Sequence, residues 1–432
     1  MPSLTAQGKE NLDKLVVCIN FKLSNILTTA HYAHIWVDSL VQEGTLPALV
    51  VGATSADGEI YLNAGGKKIV GDESSENIDP DTVFWLCSST KFIAHIAALQ
   101  LVEKGKLDME TPVKEYFPQL GDPVIVEDMT SYTPEVVASA TNTLRVKHLL
   151  NFTAGTFYVQ SPNGGFELNK ALTSDYVTDD KHTEFFNHLK GSLPGVPLRF
   201  EPGSNFIYGY NSDILGFIVE KISKQTLDQY MQENIFKPLG VEASFYLTKS
   251  LKEKFLPLAY KRPSDGQLEP YSNQPNVGII AQDPSKVACL GGVGLYMSLR
   301  GYLSILRHLL QVLDGKADKP ILKPETVKSL FVPQLNEEGC KSIDMLAQIF
   351  SAPGPMSWTN ASATNLTDWK NRRRAGSASW GGWTGTNFWI DPTTGIAGVM
   401  GIQMLCITSG SGDPNLVKAY GTFEETLYSA IA

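Results

Sequence analysis

The segment CSSTK, residues 87–91, places a serine and a lysine three positions apart at the start of an apolar helical pattern. Apolar residues recur at helical spacing over residues 92–101, and Gly105 stands where a helix C-cap belongs. A serine hydroxyl becomes a good nucleophile only when a base lies within hydrogen-bond reach. A lysine one turn away can be that base, because burial lowers its pKa. Ser88 and Lys91 are therefore a candidate nucleophile and its base.

A simpler interpretation of the same residues is a helix N-cap serine followed by an unrelated lysine. Replacing the serine with alanine would then cost about 1 kcal/mol of stability and leave any activity unchanged. Ser88 and Lys91 form the single Ser-x-x-Lys pair in the sequence. The pattern is weak by itself, since chance yields roughly one or two such pairs in a chain of this length. The rest of the chain has to decide between the two interpretations.

Both ends of the chain predict strands joined by turns, with a helix nearby. Asp57-Gly58 and the segment 391–395 are turn signals between apolar runs. The predicted strands and terminal helices are Ala48–Thr54, Glu59–Ala64, Asn387–Ile390, Ile396–Gln403, Ala30–Glu43 and Leu416–Ile431. This pattern predicts an α/β fold in which one antiparallel sheet, flanked by helices, is built from both termini.

A mainly helical region is predicted between the two ends. The chain would then be one unit of 432 residues, with an α/β part over about 1–85 and 285–432 and a helical part over about 86–284. Two stretches within that region, Gly121–Asn142 and Val159–Pro197, are rich in Pro, Gly, Ser, Thr and Asp. Loops of this length are typical of functional lids or disordered excursions.

Composition argues against several classes of function. The net charge of −9 and the pI near 5.4 oppose nucleic-acid binding, and the basic run Arg372–Arg374 is interpreted as a solvated loop. The five scattered cysteines fit reduced thiols. With neither a signal peptide nor a membrane-length apolar run, the sequence predicts a cytoplasmic enzyme without membrane contact. His31 and His34 have no third ligand, and nucleotide-binding fingerprints are missing, so no metal or cofactor is predicted.

Five collinear segments resemble the serine β-lactamase-like superfamily, which includes class C β-lactamases, penicillin-binding proteins, family VIII carboxylesterases and fungal lovastatin-type acyltransferases. The resemblance covers about Leu46 to the C-terminus. Three of the segments that carry it are FWLCSSTKFIAHIAALQLVEKGKL, PLRFEPGSNFIYGYNSDILGFIVEKISKQ and WGGWTGTNFWIDPTTGIAGVMGIQ. The resemblance implies a β-lactamase/transpeptidase-like fold and catalysis through an acyl-serine.

The resemblance also assigns roles to residues of the first two motifs. Ser88 matches the nucleophile, Lys91 its lysine and Tyr208 the catalytic tyrosine, while Tyr210 is a competing candidate for the tyrosine. Tyr210 occupies the usual Asn or Ser position, which leaves the hydrogen-bond partner of the lysine open; Asn211 is one candidate. A phenol can act as a base near neutral pH only if a cation such as Lys91 stabilises the phenolate.

The third motif departs from that of β-lactamases. Trp380-Gly381-Gly382 stands where the family usually has Lys-Thr-Gly, which removes a cation suited to binding a β-lactam carboxylate. The replacement is typical of the esterase and acyltransferase branches. The resemblance places the backbone N–H groups of Trp383 and Ser88 in the oxyanion hole. The simpler interpretation is an ordinary strand with two glycines and core tryptophans.

The sequence therefore predicts a serine-dependent acyl-transfer enzyme acting on a small molecule. Hydrolysis of a carboxylic ester is the first expectation. Transfer of the acyl group to an acceptor in secondary metabolism is the alternative, and a binding protein or a member with repurposed chemistry is the third. The aromatic residues Tyr158, Trp380 and Trp383 favour a bulky apolar acceptor. A β-lactamase or cell-wall peptidase fits less well, and no oligomeric state is predicted.

Overall fold

The computed structural model describes most of the chain from residue 46 onward. The described residues are 46–128, 130, 134–159, 170–273, 285–349, 352–405 and 412–431. The predicted helix Ala30–Glu43 and the residues His31, His34, Cys18 and Cys406 lie outside them.

The described chain contains sixteen strands and twelve α-helices. The strands are β1 (Ala48–Ser55), β2 (Gly58–Gly66), β3 (Val83–Trp85), β4 (Val124–Val126), β5 (Val136–Ser139), β6 (Pro197–Leu198), β7 (Ala243–Ser244), β8 (Ala259–Lys261), β9 (Leu268–Pro270), β10 (Tyr296–Ser298), β11 (Met356–Trp358), β12 (Ala363–Asn365), β13 (Ala378–Gly381), β14 (Thr386–Asp391), β15 (Ile396–Gly401) and β16 (Met404–Leu405). The α-helices are α1 (Thr90–Glu103), α2 (Val146–Leu150), α3 (Lys170–Thr173), α4 (Lys181–Lys190), α5 (Asn211–Ser223), α6 (Leu227–Met231), α7 (Lys237–Leu239), α8 (Lys249–Lys254), α9 (Leu299–Leu313), α10 (Pro324–Ser329), α11 (Glu337–Ile349) and α12 (Pro414–Ala430). Short 3-10 turns cover Cys87–Ser89, Val113–Glu115, Pro118–Leu120 and Tyr271–Asn273, and a π-helical turn covers Gln232–Phe236.

The main sheet joins the two ends of the chain, as predicted. Within the described residues it has seven strands in the order β11-β12-β13-β14-β15-β1-β2. Strand β1 pairs antiparallel with β15, with Val50 opposite Gly401, and with β2, with Val50 opposite Ala64. The predicted antiparallel sheet is confirmed, and the observed strands begin and end within two residues of the predicted bounds.

The two stretches interpreted as long loops contain regular elements where the structure describes them. Strands β4 and β5 lie in the first stretch and form a small three-stranded sheet with β6. Helices α3 and α4 lie in the second stretch. Helix α4 has an amphipathic pattern that buries Phe185, Phe186 and Leu189. The expectation of long loops, as lids or disordered excursions, thus did not anticipate the regular elements in the described parts. The division of the chain into an α/β part and a helical part stays a prediction.

Helix α1 is buried on every side, because it lies between the main sheet and α5. Its residues from Thr90 to Leu101 are all buried. Phe92 packs against Phe388 of β14, with ring centroids 4.9 Å apart. The helix ends where predicted: Gly105 has φ +63°, and Lys106 donates from its backbone N–H to the carbonyl of Leu101 at 2.9 Å. A buried helix of this kind gives the residues at its start one defined position.

Helix α12 is held to the sheet by a buried ion pair. Glu424 is fully buried and accepts hydrogen bonds from Nε of Arg373 at 2.8 Å and Nη2 of Arg372 at 2.6 Å. The coulombic effect of Arg373 and its hydrogen bonds lower the pKa of Glu424 to about 2, although burial alone raises it. Arg373 is 1% exposed, so the interpretation of Arg372–Arg374 as a solvated loop is wrong for Arg373.

No helix in the part of the chain that the structure describes is long and apolar enough to cross a membrane.

We expect Glu424→Gln to lower the free energy of unfolding by about 3–5 kcal/mol, because it leaves the Arg373 guanidinium buried without a full counter-charge. Urea denaturation followed by far-UV circular dichroism measures the change. The matched control is Glu242→Gln, since Glu242 pairs with Lys254 at 3.1 Å and both side chains are 49% exposed. The control should change stability by less than about 1 kcal/mol. Equal effects of the two substitutions would contradict a stabilising buried pair.

Candidate active site

Ser88 lies in a tight turn between β3 and α1. The 3-10 turn Cys87–Ser89 precedes the first residue of α1, so the serine stands one turn before the helix rather than within it. Cys87 has φ +47°, a value that non-glycine residues rarely adopt. Its side chain faces inward, with Sγ 3.6 Å from Oγ1 of Thr384. Ser88 is 9% exposed. The turn therefore directs the Cys87 thiol into the protein and leaves the Ser88 hydroxyl at the edge of the site.

Lys91 directs its amine at the serine. Its Nζ donates to Oγ of Ser88 at 3.0 Å, to the hydroxyl of Tyr158 at 3.1 Å and to the carbonyl of Gly292 at 2.7 Å. These three acceptors match the three N–H groups of an ammonium. The side chain is 1% exposed, and burial lowers the pKa of the lysine to about 8. The expected serine–lysine contact is therefore present.

Tyr208 comes to the same place from the segment before α5. Its hydroxyl accepts a hydrogen bond from Nε1 of Trp380 at 2.8 Å and also interacts with the Ser88 side chain. Lys91 contacts the ring of Tyr208, with Nζ 4.8 Å from the centroid. Burial raises the pKa of Tyr208, while the contacts with Ser88 and Trp380 oppose the rise. The resting side chain is thus a neutral phenol, and the expected role of Lys91 in holding a phenolate is not supported.

Tyr158, rather than Asn211, is the side-chain partner of Lys91 besides the serine. The amide oxygen of Asn211 accepts from Oγ1 of Thr156 at 2.9 Å, and the residue is fully buried. The suggestion that Asn211 completes the lysine's hydrogen bonds is therefore wrong. Burial raises the pKa of Tyr158 well above its ordinary value. The sequence contains no local signal for this contact, because 67 residues separate the two partners.

Tyr210 lies behind Tyr158. The two rings meet edge to face with centroids 4.7 Å apart, and Phe185 packs on the other side of Tyr210 at 5.8 Å. Tyr210 is also the N-cap residue of α5. Of the two candidate tyrosines, Tyr208 is the one whose hydroxyl interacts with the serine.

The third motif lies at the end of β13, against the serine turn. Gly382 donates to the carbonyl of Thr386 at 2.6 Å, and a Cβ added at Gly382 would stand 2.3 Å from the carbonyl oxygen of Leu86. Oγ1 of Thr386 donates to the same Leu86 carbonyl at 3.2 Å. A Cβ at Gly381 would stand 2.5 Å from the side chain of Asn387. Gly382 is therefore required by the close approach of the strand and the serine turn, whereas Gly381 lies close to the neighbouring strand β14.

Trp383 follows the glycines and packs, partly buried, with Trp85, Cys87 and Tyr296. Its backbone N–H lies near the Cys87 thiol. Burial raises the pKa of this thiol to about 12, and the N–H of Trp383 opposes the rise. The backbone of Trp383 thus lies beside the residue that precedes the serine. Trp380 and Trp383 point to different sides of the strand end, the first to Tyr208 and the second to the cluster around Cys87.

One further residue belongs to the site and was missed from the sequence. Asp213 on α5 is fully buried, and its Oδ1 accepts from the backbone N–H of Gly292 at 2.8 Å. The carbonyl of the same glycine accepts from Lys91. A carboxylate within the apolar run that follows Asn211 was the available signal. His95 is buried one turn beyond Lys91 and contacts Oγ of Ser212 at 2.8 Å and the carbonyl of Asn360 at 2.7 Å, which is a packing role.

We expect Gly382→Ala to lower the free energy of unfolding by about 1–3 kcal/mol and to reduce activity, because its Cβ would push the strand from the serine turn. Gly421→Ala is the matched control: it lies within α12, and a Cβ there would meet no atom closer than 3.7 Å. That substitution should be neutral or raise stability by up to about 1 kcal/mol. Thermal unfolding and ester turnover of both variants test this, and an unchanged Gly382→Ala protein would contradict the close packing.

Comparisons with known proteins agree with this arrangement. The profile of the family described as beta-lactamase matches residues 36–405. ML-236A carboxylate methylbutanoyltransferase of Penicillium citrinum is 26% identical over 410 residues, which cover 91% of this chain and 93% of that protein. Lovastatin esterase of Penicillium rubens is 26% identical over 407 residues, which cover 90% of this chain and 96% of that protein. The solved structure of a simvastatin synthase mutant from Aspergillus terreus has a TM-score of 0.73 and 26% identity, covering 91% of this chain and 95% of that one.

Proposed function

The chain belongs to the β-lactamase family, and we propose that it transfers acyl groups of small molecules through an ester formed on Ser88. The observation that carries this proposal is the buried contact of 3.0 Å between Nζ of Lys91 and Oγ of Ser88. A serine hydroxyl within reach of an amine of lowered pKa has what nucleophilic catalysis requires.

In the first half-reaction, Oγ of Ser88 attacks the carbonyl carbon of the donor and gives its proton to the neutral amine of Lys91. The negative charge then lies on the carbonyl oxygen, where the backbone N–H groups of Ser88 and Trp383 would stabilise it. Collapse of the tetrahedral intermediate breaks the bond to the leaving oxygen, which takes a proton relayed through Tyr208. The products are the acyl-serine and a free alcohol.

Lys91 is the better base of the two candidates. Burial lowers its pKa to about 8, so a fraction of the amine is neutral near neutral pH. Burial acts in the opposite direction on Tyr208 and keeps its phenol protonated. The hydroxyl of Tyr208 touches Ser88 and is therefore suited to pass a proton between the lysine and the leaving group.

The third motif favours an uncharged acyl group. Trp380 presents an indole in place of the lysine that binds the carboxylate of a β-lactam, and its Nε1 is engaged with Tyr208 at 2.8 Å. The rings of Trp380 and Tyr208 lie 5.0 Å apart, and Trp358 packs on Trp380 at 4.8 Å. This aromatic wall suits an apolar carboxylic ester. Hydrolysis of such an ester, with water as the second nucleophile, is the first proposed reaction.

Transfer of the acyl group to an alcohol is the second candidate. It is favoured by the similarity to a methylbutanoyltransferase, which extends over 91% of this chain. The two reactions share the acyl-serine and differ only in the second nucleophile. The similarity to an esterase over 90% of the chain keeps hydrolysis as the first proposal.

We expect incubation with p-nitrophenyl esters of short acyl chains to add one acyl group to the intact protein and to release p-nitrophenol. Intact mass spectrometry and peptide mapping should place the acyl group on Ser88. Ser88→Ala should fold normally and take up no acyl group, since the nucleophile is lost. Acylation of Ser88→Ala, or full turnover by it, would contradict the assignment.

The same reaction mixtures distinguish the two fates of the acyl group. Free acid as the only product, with or without added alcohols, indicates hydrolysis. A new ester formed with an added bulky alcohol, at the expense of the acid, indicates transfer.

We expect Tyr208→Phe to lower kcat/KM by about 100-fold or more, because it removes the hydroxyl that interacts with Ser88. Tyr210→Phe is the matched control, since Tyr210 packs against Tyr158 and Phe185 instead. The control should stay within about 10-fold of the parent enzyme. A larger loss in the control than in Tyr208→Phe would transfer the role to Tyr210.

A further inference from the structure

Asp213 is a buried carboxylate for which the mechanism above has no role. It lies on the first turn of α5 and is fully buried. Its Oδ1 accepts from the backbone N–H of Gly292 at 2.8 Å, and its Oδ2 has no hydrogen-bond donor among the described residues. A buried carboxylate with so few hydrogen bonds is costly unless an opposite charge lies nearby. The buried carboxylate of Asp213 therefore requires a cation nearby.

Gly292 connects Asp213 to the catalytic lysine. The backbone N–H of this glycine donates to the carboxylate, and its carbonyl accepts from Nζ of Lys91 at 2.7 Å. A Cβ added at Gly292 would lie 2.5 Å from Oδ2 of Asp213. The carboxylate therefore lies directly against the glycine. The backbone of a single residue, Gly292, thus links the carboxylate of Asp213 to the amine of Lys91.

The charges around Lys91 make Asp213 its electrostatic partner. The two groups that act on Lys91 by charge are Asp213 and Cys87, and burial raises the pKa of the Cys87 thiol to about 12, which keeps it neutral. Burial lowers the pKa of His95 to about 4, so this imidazole is neutral as well. The phenols that face the pair from other elements have raised pKa values and stay protonated; they are Tyr158, Tyr176 and Tyr208.

The carboxylate and the amine influence each other. Burial raises the pKa of Asp213 to about 6, and the lysine opposes this rise. The negative charge of Asp213 in turn raises the pKa of Lys91, against the larger effect of burial. Between about pH 6 and pH 8 both groups are charged.

We propose that Asp213 is a positioning residue of the acyl-transfer reaction, which holds Lys91 beside Ser88 through Gly292 and favours the ammonium form of the lysine between turnovers. The inference rests on the proposed function, since it assumes that Ser88 reacts when Lys91 is neutral. It implies that Asp213 determines the pH above which the serine becomes reactive. The residue acts through the lysine and does not contact the acyl group.

The test is the pH dependence of Ser88 labelling by an alkyl fluorophosphonate. In this reaction Oγ of the serine bonds to phosphorus, fluoride leaves, and the serine proton passes to the base. In the parent protein the labelling rate should rise with pH with a midpoint near the lysine pKa of about 8. Asp213→Asn keeps an acceptor for Gly292 and removes the charge, so the midpoint should fall by about one pH unit. Asp213→Ser is a second uncharged variant.

Asp228→Asn is the matched control. Asp228 is a buried carboxylate on α6 whose Oδ1 accepts from Oγ of Ser244 and the N–H of Phe245, both at 2.8 Å. The control substitution removes the charge of a buried carboxylate that does not contact Lys91, so the midpoint should stay at the parent value. A fall in both Asp213 variants with no change in the control would support the inference.

Three other outcomes overturn the inference or its premise. Parent-like midpoints in the Asp213 variants would show that the carboxylate does not act on the lysine. Failure of both Asp213 variants to fold, with Asp228→Asn folded, would make the role structural and would also overturn it. If the parent protein is labelled no faster than Ser88→Ala at any pH, the proposed function itself fails, which is a distinct result.

Discussion

The burial of one amine is the constraint on which the site depends. Removing a lysine ammonium from water costs several kcal/mol unless hydrogen bonds and an opposite charge replace the lost solvent. Lys91 obtains three acceptors, one each from the serine turn, Tyr158 and Gly292. These acceptors lie far apart in the sequence, so they meet only in the assembled fold. The lysine is therefore held beside the serine by the whole arrangement rather than by its own helix.

The main sheet supplies a second requirement, which is a fixed distance between the serine turn and the end of β13. Threonine hydroxyls bridge the two: Oγ1 of Thr384 donates to the carbonyl of Trp85 at 3.2 Å, and Oγ1 of Thr386 contacts Oγ of Ser89 at 3.1 Å. Gly382 lets the two backbones approach closely. Because β14 also pairs with β15, and β15 with β1, this contact is anchored in the strands that join the two ends of the chain.

Replacing a cation with an indole in the third motif changes the neighbours of the catalytic tyrosine. An ammonium beside the hydroxyl would favour a phenolate, whereas Nε1 of Trp380 is a neutral donor at 2.8 Å. Lys91 lies over the ring of Tyr208 and not at its hydroxyl. The tyrosine thus remains protonated, and the lysine is the group that accepts the serine proton. The two residues have different roles because the donor that faces the phenol, Nε1 of Trp380, is neutral.

Several elements of the fold could be predicted because they depend on local sequence pattern. Alternating and apolar runs with turn signals predicted the strands that became β1, β2, β14 and β15, and helical spacing with a terminal glycine predicted α1. The spacing of Ser88 and Lys91 predicted that the two side chains lie near each other, because residues three apart face the same side where a helical turn runs into a helix. The motif resemblance also identified Tyr208 and Trp380 as candidate site residues.

The distant groups that complete the site could not be predicted, because tertiary packing brings them together. Tyr158 rather than Asn211 contacts Lys91, Arg373 is buried against Glu424 instead of solvated, and Asp213 meets the lysine across Gly292. Each of these contacts joins residues more than 50 positions apart in the chain. Local periodicity carries no information about such pairs, because their distance is set by the way α1, α5 and α12 pack around the sheet.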